Sequence, residues 1–241
     1  MKASFEADSD VFVITGGANG ICRELANQAS EAGAAVAVLD VAARPSGLRQ
    51  EIDYFEVDVA DRAAVFAAVD RVAIERGLIT GLVCGAVIQP RESVLSTSED
   101  LWRQIQAVNL DGTLWSMQAV VPGMVERHRG SVIVFTSGLA ASGWPGASGY
   151  ATTKAAVTVL AKTLAAEVID SRVRVNVVAP GVIETEQYQL ANSEQELEHW
   201  RKTIGSGDPE DVVGPLLFLL SDDASMTGSI ITRERAYRRH P

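Results

Sequence analysis

An apolar, β-branched run that ends in a glycine turn and then becomes a helix narrows the folds open to this chain more than any other feature. Val11-Phe12-Val13-Ile14 reads as a buried strand and Thr15-Gly16-Gly17-Ala18-Asn19-Gly20 as the turn, with a helix expected from about Ile21 to Ala32. Glycines in such a turn let the backbone approach a pyrophosphate, whose charge is met by amides at the positive end of the helix. After Gly33, a second strand from Ala35 to Leu39 ends at Asp40, about 20 residues beyond the turn. An acidic side chain at that spacing accepts hydrogen bonds from an adenosine ribose and repels a 2′-phosphate. NAD is therefore expected over NADP, with Arg44 as the nearby residue that argues the other way.

The same alternation continues down the chain. Ala42 to Asp53 reads as a loop marked by Pro45-Ser46-Gly47, followed by a strand from Tyr54 to Val57 closed by Asp58. A helix over Arg62 to Arg76 and a strand over Ile79 to Cys84 come next. Helices near Glu99 to Val108 and Thr113 to Glu126 flank Asn109, whose amide, set between Val108 and Leu110, needs partners if it is buried. Further strands are expected at Val132 to Phe135, Val173 to Ala179 and Ser229 to Thr232, with a helix from Asp208-Pro209-Glu210 to Leu220. Strands alternating with helices imply an α/β fold with a doubly wound parallel sheet of the Rossmann type, in a single domain spanning 1–241. Met1 to Asp10 reads as an N-terminal extension. Val182 to Gly207 shows no steady periodicity and reads as a cover over a site, with a plain surface excursion as the other reading. The basic end from Arg233 to Pro241 is expected to be disordered.

Ser137 to Lys154 carries the chemistry. Ser137 follows the strand that ends at Phe135, and Tyr150 and Lys154 stand one turn apart on one face of a helix expected over Gly149 to Ile169. A free phenol has a pKa of about 10 and is a poor base at neutral pH. An ammonium one turn away favours the phenolate and should pull that pKa towards the working range, while Ser137 hydrogen-bonds the same substrate oxygen.

The net charge of −10, from 31 acidic against 21 basic residues, argues against a nucleic-acid partner. No apolar run has the length of a membrane span, and the N-terminus has no secretory pattern, so a cytoplasmic location is expected. Cys22 and Cys84 read as buried thiols, and His128, His199 and His240 lack metal-ligand spacing, so no metal is expected.

With Thr15-Gly16-xxx-Gly20, Asp40, Asn109, Ser137 and Tyr150-xxx-Lys154 in that order, together with Asn176, Pro180-Gly181 and Thr185, the chain resembles the classical short-chain dehydrogenase/reductase family from about Val11 to Gly228. The resemblance implies an enzyme that moves a hydride between a nicotinamide cofactor and a secondary alcohol or ketone. Tyr150 would be the acid/base, Lys154 would hold the nicotinamide ribose, Ser137 would position the carbonyl, and Asn109 would anchor a relay water. Cofactor contacts would come from Gly16, Asn19, Gly20 and Ile21 on the turn, from Asp40, from Asp58 and Val59 near the adenine, and from Ala86. Pro180, Gly181 and Thr185, together with Tyr150 and Lys154, would complete them near the nicotinamide. The family usually has glycine where this chain has Cys22, Asn-Asn-Ala-Gly where it has Cys84-Gly85-Ala86-Val87, and Asp-Gly-Gly after its last strand where it has the arginine-rich end. Homo-tetramers or dimers are the family's common state, often built through the Tyr-Lys helix.

Ala140 to Ser148, with Trp144-Pro145, and the segment after Val182 would wall the substrate pocket, which suggests an uncharged or partly apolar substrate, and Glu184 and Glu186 mildly disfavour an anionic one. Two other readings stand beside this one. One is an NADPH-dependent reductase of 3-oxoacyl groups on an acidic carrier protein, met by Arg127, His128, Arg129 and Arg172. The other is a non-catalytic dinucleotide-binding protein, for which the altered glycine and amide motifs are the argument.

Overall fold

A computed structural model describes residues 5–236 of the chain; Met1 to Ser4 of the expected extension and Tyr237 to Pro241 of the expected tail lie outside the described residues. Seven strands form one parallel sheet: β1 (Val11–Thr15), β2 (Ala35–Asp40), β3 (Asp53–Glu56), β4 (Gly81–Cys84), β5 (Gly130–Phe135), β6 (Val173–Ala179) and β7 (Ile230–Thr232). Their spatial order is β3-β2-β1-β4-β5-β6-β7, so the chain winds outward from β1, then returns and winds out the other way from β4. The switch between β1 and β4 leaves a crevice beyond their carboxyl ends, where doubly wound sheets bind ligands.

Alternation along β1 explains the two helical layers. Phe12 and Ile14 face a core shared with α1 (Gly20–Glu31) and α9 (Glu210–Leu220), packing with Leu25 and Leu216. Val11 and Val13 face the opposite core, built with α2 (Arg62–Arg76), α4 (Gly112–Glu126) and α6 (Ser148–Glu167) through Val65, Met117 and Val157. Both faces of the central strands are covered, which is why they read as continuous apolar runs rather than alternating ones.

Three segments differ from the sequence expectation. Between α3 (Glu99–Gln106) and α4 the chain is not broken: Ala107–Asp111 forms one π-type turn, and the widened turn carries Asn109 inward. After β5, α5 (Leu139–Ser142) is a single turn that periodicity was too short to reveal. The aperiodic stretch after Val182 holds α7 (Glu186–Ala191) and α8 (Glu194–Thr203), the latter started by a capping box between Ser193 and Glu196.

The end of the chain also departs from expectation as far as Ala236. Ala236 donates its N–H to Ile204 O at 2.8 Å, and Arg233 lies beside Gly181 and Gly207 with its guanidinium 3.6 Å from Asp211. These contacts order the first residues of the expected disordered tail, since their backbone and charge are partnered. β7 is short, but it pairs in parallel register with β6, Val177 opposite Ile230. Among the described residues no helix is long and apolar enough to cross a membrane.

Candidate active site

The crevice beyond β1 and β4 is a cleft of about 990 Å³. One wall is the glycine turn. Gly16 has φ +71°, and a Cβ there would lie 2.6 Å from the Ala86 nitrogen, so only glycine lets the turn close against the loop after β4. Thr15 Oγ1 fastens that loop by accepting from Gly85 N at 3.1 Å and Ala86 N at 3.2 Å. Gly20, with φ +56°, starts α1, and the methyl of Thr185 stands 3.0 Å from where its Cβ would be. Asn19 precedes α1 in extended backbone without a side-chain cap, and no acidic residue occupies the first turn. The positive end of the helix is thus left open to an anion, with Asn19, Gly20 and Ile21 lining the cleft.

Asp40 lines the same cleft at the end of β2. Its two carboxylate oxygens accept from Ala18 N and Ala42 N, each at 2.9 Å, which fixes the carboxylate while leaving lone pairs for a diol. Arg44 is turned to other work: its guanidinium donates to Ile52 O at 2.8 Å and Arg49 O at 2.5 Å and lies 5.9 Å from the Tyr54 ring centre. Asp58, Val59 and Ala86 also line the cleft.

The two departures at Cys22 and Gly85 explain each other. A Cβ on Gly85 would fall 2.2 Å from Cys22 Sγ, so the thiol fills the space that a side chain at 85 would need. Burial pushes the Cys22 and Cys84 thiols up to about 12, so both are neutral.

Lys154 is buried on α6 and donates to Phe135 O at 2.9 Å, with Nζ 5.7 Å from the centre of the Tyr150 ring. Burial lowers its pKa to about 8. Tyr150 is partly buried at the cleft, and burial raises its pKa, while a hydrogen bond from Ser137 and the charge of Arg91 act the other way. The sequence expectation that Lys154 would draw this phenol downward is not met: desolvation is the larger effect, and the lysine is spent on a carbonyl. Ser137 is held by accepting from Leu139 N at 3.2 Å.

Asn109 is buried and fully engaged, a role separate from the cleft surface. It accepts from Ile88 N at 2.9 Å and donates to Ile88 O at 3.0 Å and to Thr153 Oγ1 at 3.1 Å, tying the β4–α3 loop to α6. Pro180 and Thr185 reach the cleft, whereas Gly181, with φ +75°, packs on Arg233 O instead.

A family model described as short chain dehydrogenase matches residues 10–196. The chain belongs to the short-chain dehydrogenase family. Its members are NAD(P)-dependent oxidoreductases, and the chain is one of them. It is 33% identical over 235 residues to a 3-oxoacyl-(acyl-carrier-protein) reductase of Thermotoga maritima, covering 93% of this chain and 96% of the relative. It is also 33% identical over 238 residues to 2-(S)-hydroxypropyl-CoM dehydrogenase 3 of Xanthobacter autotrophicus, covering 92% and 93%. Among solved structures, a gluconate 5-dehydrogenase from Burkholderia cenocepacia in complex with NADP and tartrate superposes with a TM-score of 0.87 at 30% identity, covering 95% of each chain.

In this short-chain dehydrogenase the other wall of the cleft, with Gln187, Leu190 and Ala191, is backed by contacts that periodicity does not reveal. Gln187 on α7 donates to Val87 O at 3.1 Å. Arg91 donates to Ala191 O at 2.9 Å and Asn192 Oδ1 at 2.8 Å. Trp144 donates to Glu196 at 3.0 Å and packs its ring 4.5 Å from that of Trp200 and 5.8 Å from that of His199. Glu184, expected to disfavour an anionic substrate, is neutralised by Arg201 at 2.8 and 3.0 Å, which holds its carboxyl below the usual range. Arg127, His128, Arg129 and Arg172 lie before β5 and β6, at the opposite end of the parallel sheet from the cleft.

Proposed function

We propose that this enzyme transfers a hydride between NAD(H) and a secondary alcohol or ketone, with Tyr150 as acid/base, Ser137 as the group that positions the substrate oxygen, and Lys154 as the holder of the nicotinamide ribose. The observation that carries the reading is a phenol within reach of Ser137, beside a buried ammonium, at a cleft whose far wall is an open helix terminus and a fixed carboxylate. When bound, the nicotinamide supplies or accepts the hydride. In reduction, Tyr150, kept neutral by burial, donates its proton to the carbonyl oxygen while Ser137 hydrogen-bonds that oxygen as negative charge develops. In oxidation the phenolate takes the hydroxyl proton. Asn109 acts as a positioning residue that keeps α6 registered against the loop after β4; its part in a proton relay belongs to the same proposal.

Gly16, Asn19, Gly20 and Ile21 would hold the pyrophosphate, Asp40 the adenosine ribose, Asp58, Val59 and Ala86 the adenine side, and Pro180, Gly181 and Thr185 the nicotinamide side. The preference for NAD rests on Asp40 facing the cleft and on Arg44 being committed to carbonyls. Titration with NADH and with NADPH, followed by cofactor fluorescence, tests it. Tighter NADH binding supports Asp40 as the ribose reader; tighter NADPH binding sinks that assignment. A 3-oxoacyl reductase is a second reading, favoured by the Thermotoga maritima relative. It lacks support from the basic residues at 127–129 and 172, which lie far from the cleft.

Self-association through α6 is part of the same proposal. Val159 is 65% exposed on its outer face, beside a shallow hollow formed with Lys162, Thr163, Ala166 and Glu167. Light scattering of Val159→Asp against the parent tests it, and an unchanged mass would remove α6 from the interface. A cytoplasmic setting is proposed with it, from the two free, buried cysteines.

A further inference from the structure

One cation near the reacting phenol forms no ion pair among the described residues. Arg91 leaves the loop after β4, and the next residue, Glu92, donates its N–H to Gly146 O at 2.9 Å, which sets Arg91 against the turn that leads into Tyr150. Its Nε and Nη2 are fixed by Ala191 O and Asn192 Oδ1. Its Nη1 is sealed from solvent and has no hydrogen-bond partner. No carboxylate pairs with Arg91 among the described residues. Glu196 senses its charge, but that carboxylate is occupied by Trp144 Nε1 and by the N–H and hydroxyl of Ser193. Glu184 is occupied by Arg201. A second donor without a partner, Tyr188 Oη, is buried on the same cover, and Tyr188 O accepts from the Asn192 side chain that holds Arg91.

Buried donors are almost always partnered, and a fixed guanidinium with one nitrogen left unpartnered is suited to an anionic acceptor. We infer that Arg91, assisted by Tyr188, receives a carboxylate on the substrate, so that the natural substrate is an oxo acid or hydroxy acid rather than an uncharged alcohol or ketone. The inference rests on the hydride-transfer reading and narrows its substrate class. It also reverses the expectation drawn from Glu184 and Glu186: Glu184 is already neutralised, and Glu186, although it lines the cleft, is exposed to screening solvent. Holding the carboxylate against the cover would orient the carbonyl towards Ser137 and Tyr150.

The test uses 2-oxobutanoate, 3-oxobutanoate and 4-oxopentanoate, each beside its methyl ester, with NADH oxidation as the activity readout and calorimetry as the binding readout. The full chain is compared with Arg91→Gln, Arg91→Lys and Tyr188→Phe. At least one carboxylate should exceed its ester in kcat/KM by about tenfold or more, chiefly through KM. Arg91→Gln should lower that carboxylate-to-ester ratio by about tenfold, with Arg91→Lys retaining part of it and Tyr188→Phe losing about threefold. Esters equal to or better than every carboxylate, or a ratio that Arg91→Gln leaves unmoved, would overturn the inference. If Arg91→Gln does not fold, the parent ratio and the Lys variant decide. Absence of turnover with both members of every pair, despite NADH binding, would count against the hydride-transfer reading; carboxylate binding by calorimetry then still decides the role of Arg91, and no carboxylate binding overturns it.

Discussion

The two walls of the cleft handle their polar groups in opposite ways. On the glycine-turn wall each recognised group is locked by the backbone: Asp40 by Ala18 and Ala42, and Thr15 by Gly85 and Ala86. Behind the opposite wall, donors on Arg91 and Tyr188 are left without partners among the described residues, and α8 is held by long-range side-chain contacts such as Trp144 to Glu196. Locked groups present one constant geometry, as a constant ligand requires. In the proposed reading, the unpartnered groups are completed by a variable ligand.

The largest break in this comparison should come between the walls, at the phenol. Tyr150→Phe should lower kcat by roughly 10²–10⁴-fold while NADH still binds, since only the proton donor is removed. Equal loss of cofactor binding would mean that Tyr150 belongs to the locked wall. Because burial raises the phenol's pKa, alcohol oxidation, which needs the phenolate, should rise with pH above neutrality, and ketone reduction should not share that rise; parallel profiles in the two directions would remove Tyr150 as the titrating group.

Next in size is Asp40→Ala, expected to weaken NADH binding by about 10- to 100-fold and to narrow or reverse the preference over NADPH. Parallel loss for both cofactors would show that Asp40 only supports the turn through Ala18.

Lys154→Met should abolish activity and yet raise apo-enzyme stability at pH 7 by roughly 1–3 kcal/mol, because a buried ammonium carries a desolvation cost. The sign follows from the lowered pKa. Between about 8 and the ordinary 10.5 the unfolded chain binds a proton that the folded one has released, so parent stability rises with pH in that window. The advantage of the Met variant should shrink there, and thermal melts from pH 7 to 10 would read it.

The smallest effect belongs to the cover. Trp144→Phe keeps a ring but removes the donor to Glu196, and should raise substrate KM about three- to tenfold with little change in kcat. Glu184 and Glu196 have lowered pKa values, through Arg201 and Trp144 first, so their support is full above 4.5 and fades as pH falls below it. Tryptophan emission from Trp144 and Trp200 should shift over that acid range before global unfolding; a single coincident transition would contradict a separately loosened cover.

The α/β class, the order of the strands along the chain, the glycine turn, Asp40 and the Ser137, Tyr150 and Lys154 set were all legible from residue order. Their signals are local: β-branched runs, glycines at positive φ, and a four-residue helical spacing. Segments stabilised by partners far along the chain were not. The turn that carries Asn109 inward is held by Ile88 and Thr153, and α8 is anchored through Trp144, 52 residues before Glu196. The direction of the Tyr150 shift was equally hidden, since spacing reports the neighbouring lysine but not how much protein surrounds the phenol.

Sequence alone determined that the chain builds a doubly wound sheet with a dinucleotide-type turn and a tyrosine and lysine one turn apart, because each of those depends on residues a few positions from one another. Tertiary structure alone decided that Cys22 fills the space left at Gly85, that Glu184 is silenced by Arg201, and that Arg91 keeps one buried nitrogen unpartnered near the phenol. Those outcomes depend on which distant groups compete for the same volume, hydrogen bond or charge, and that competition exists only once the sheet has brought them together.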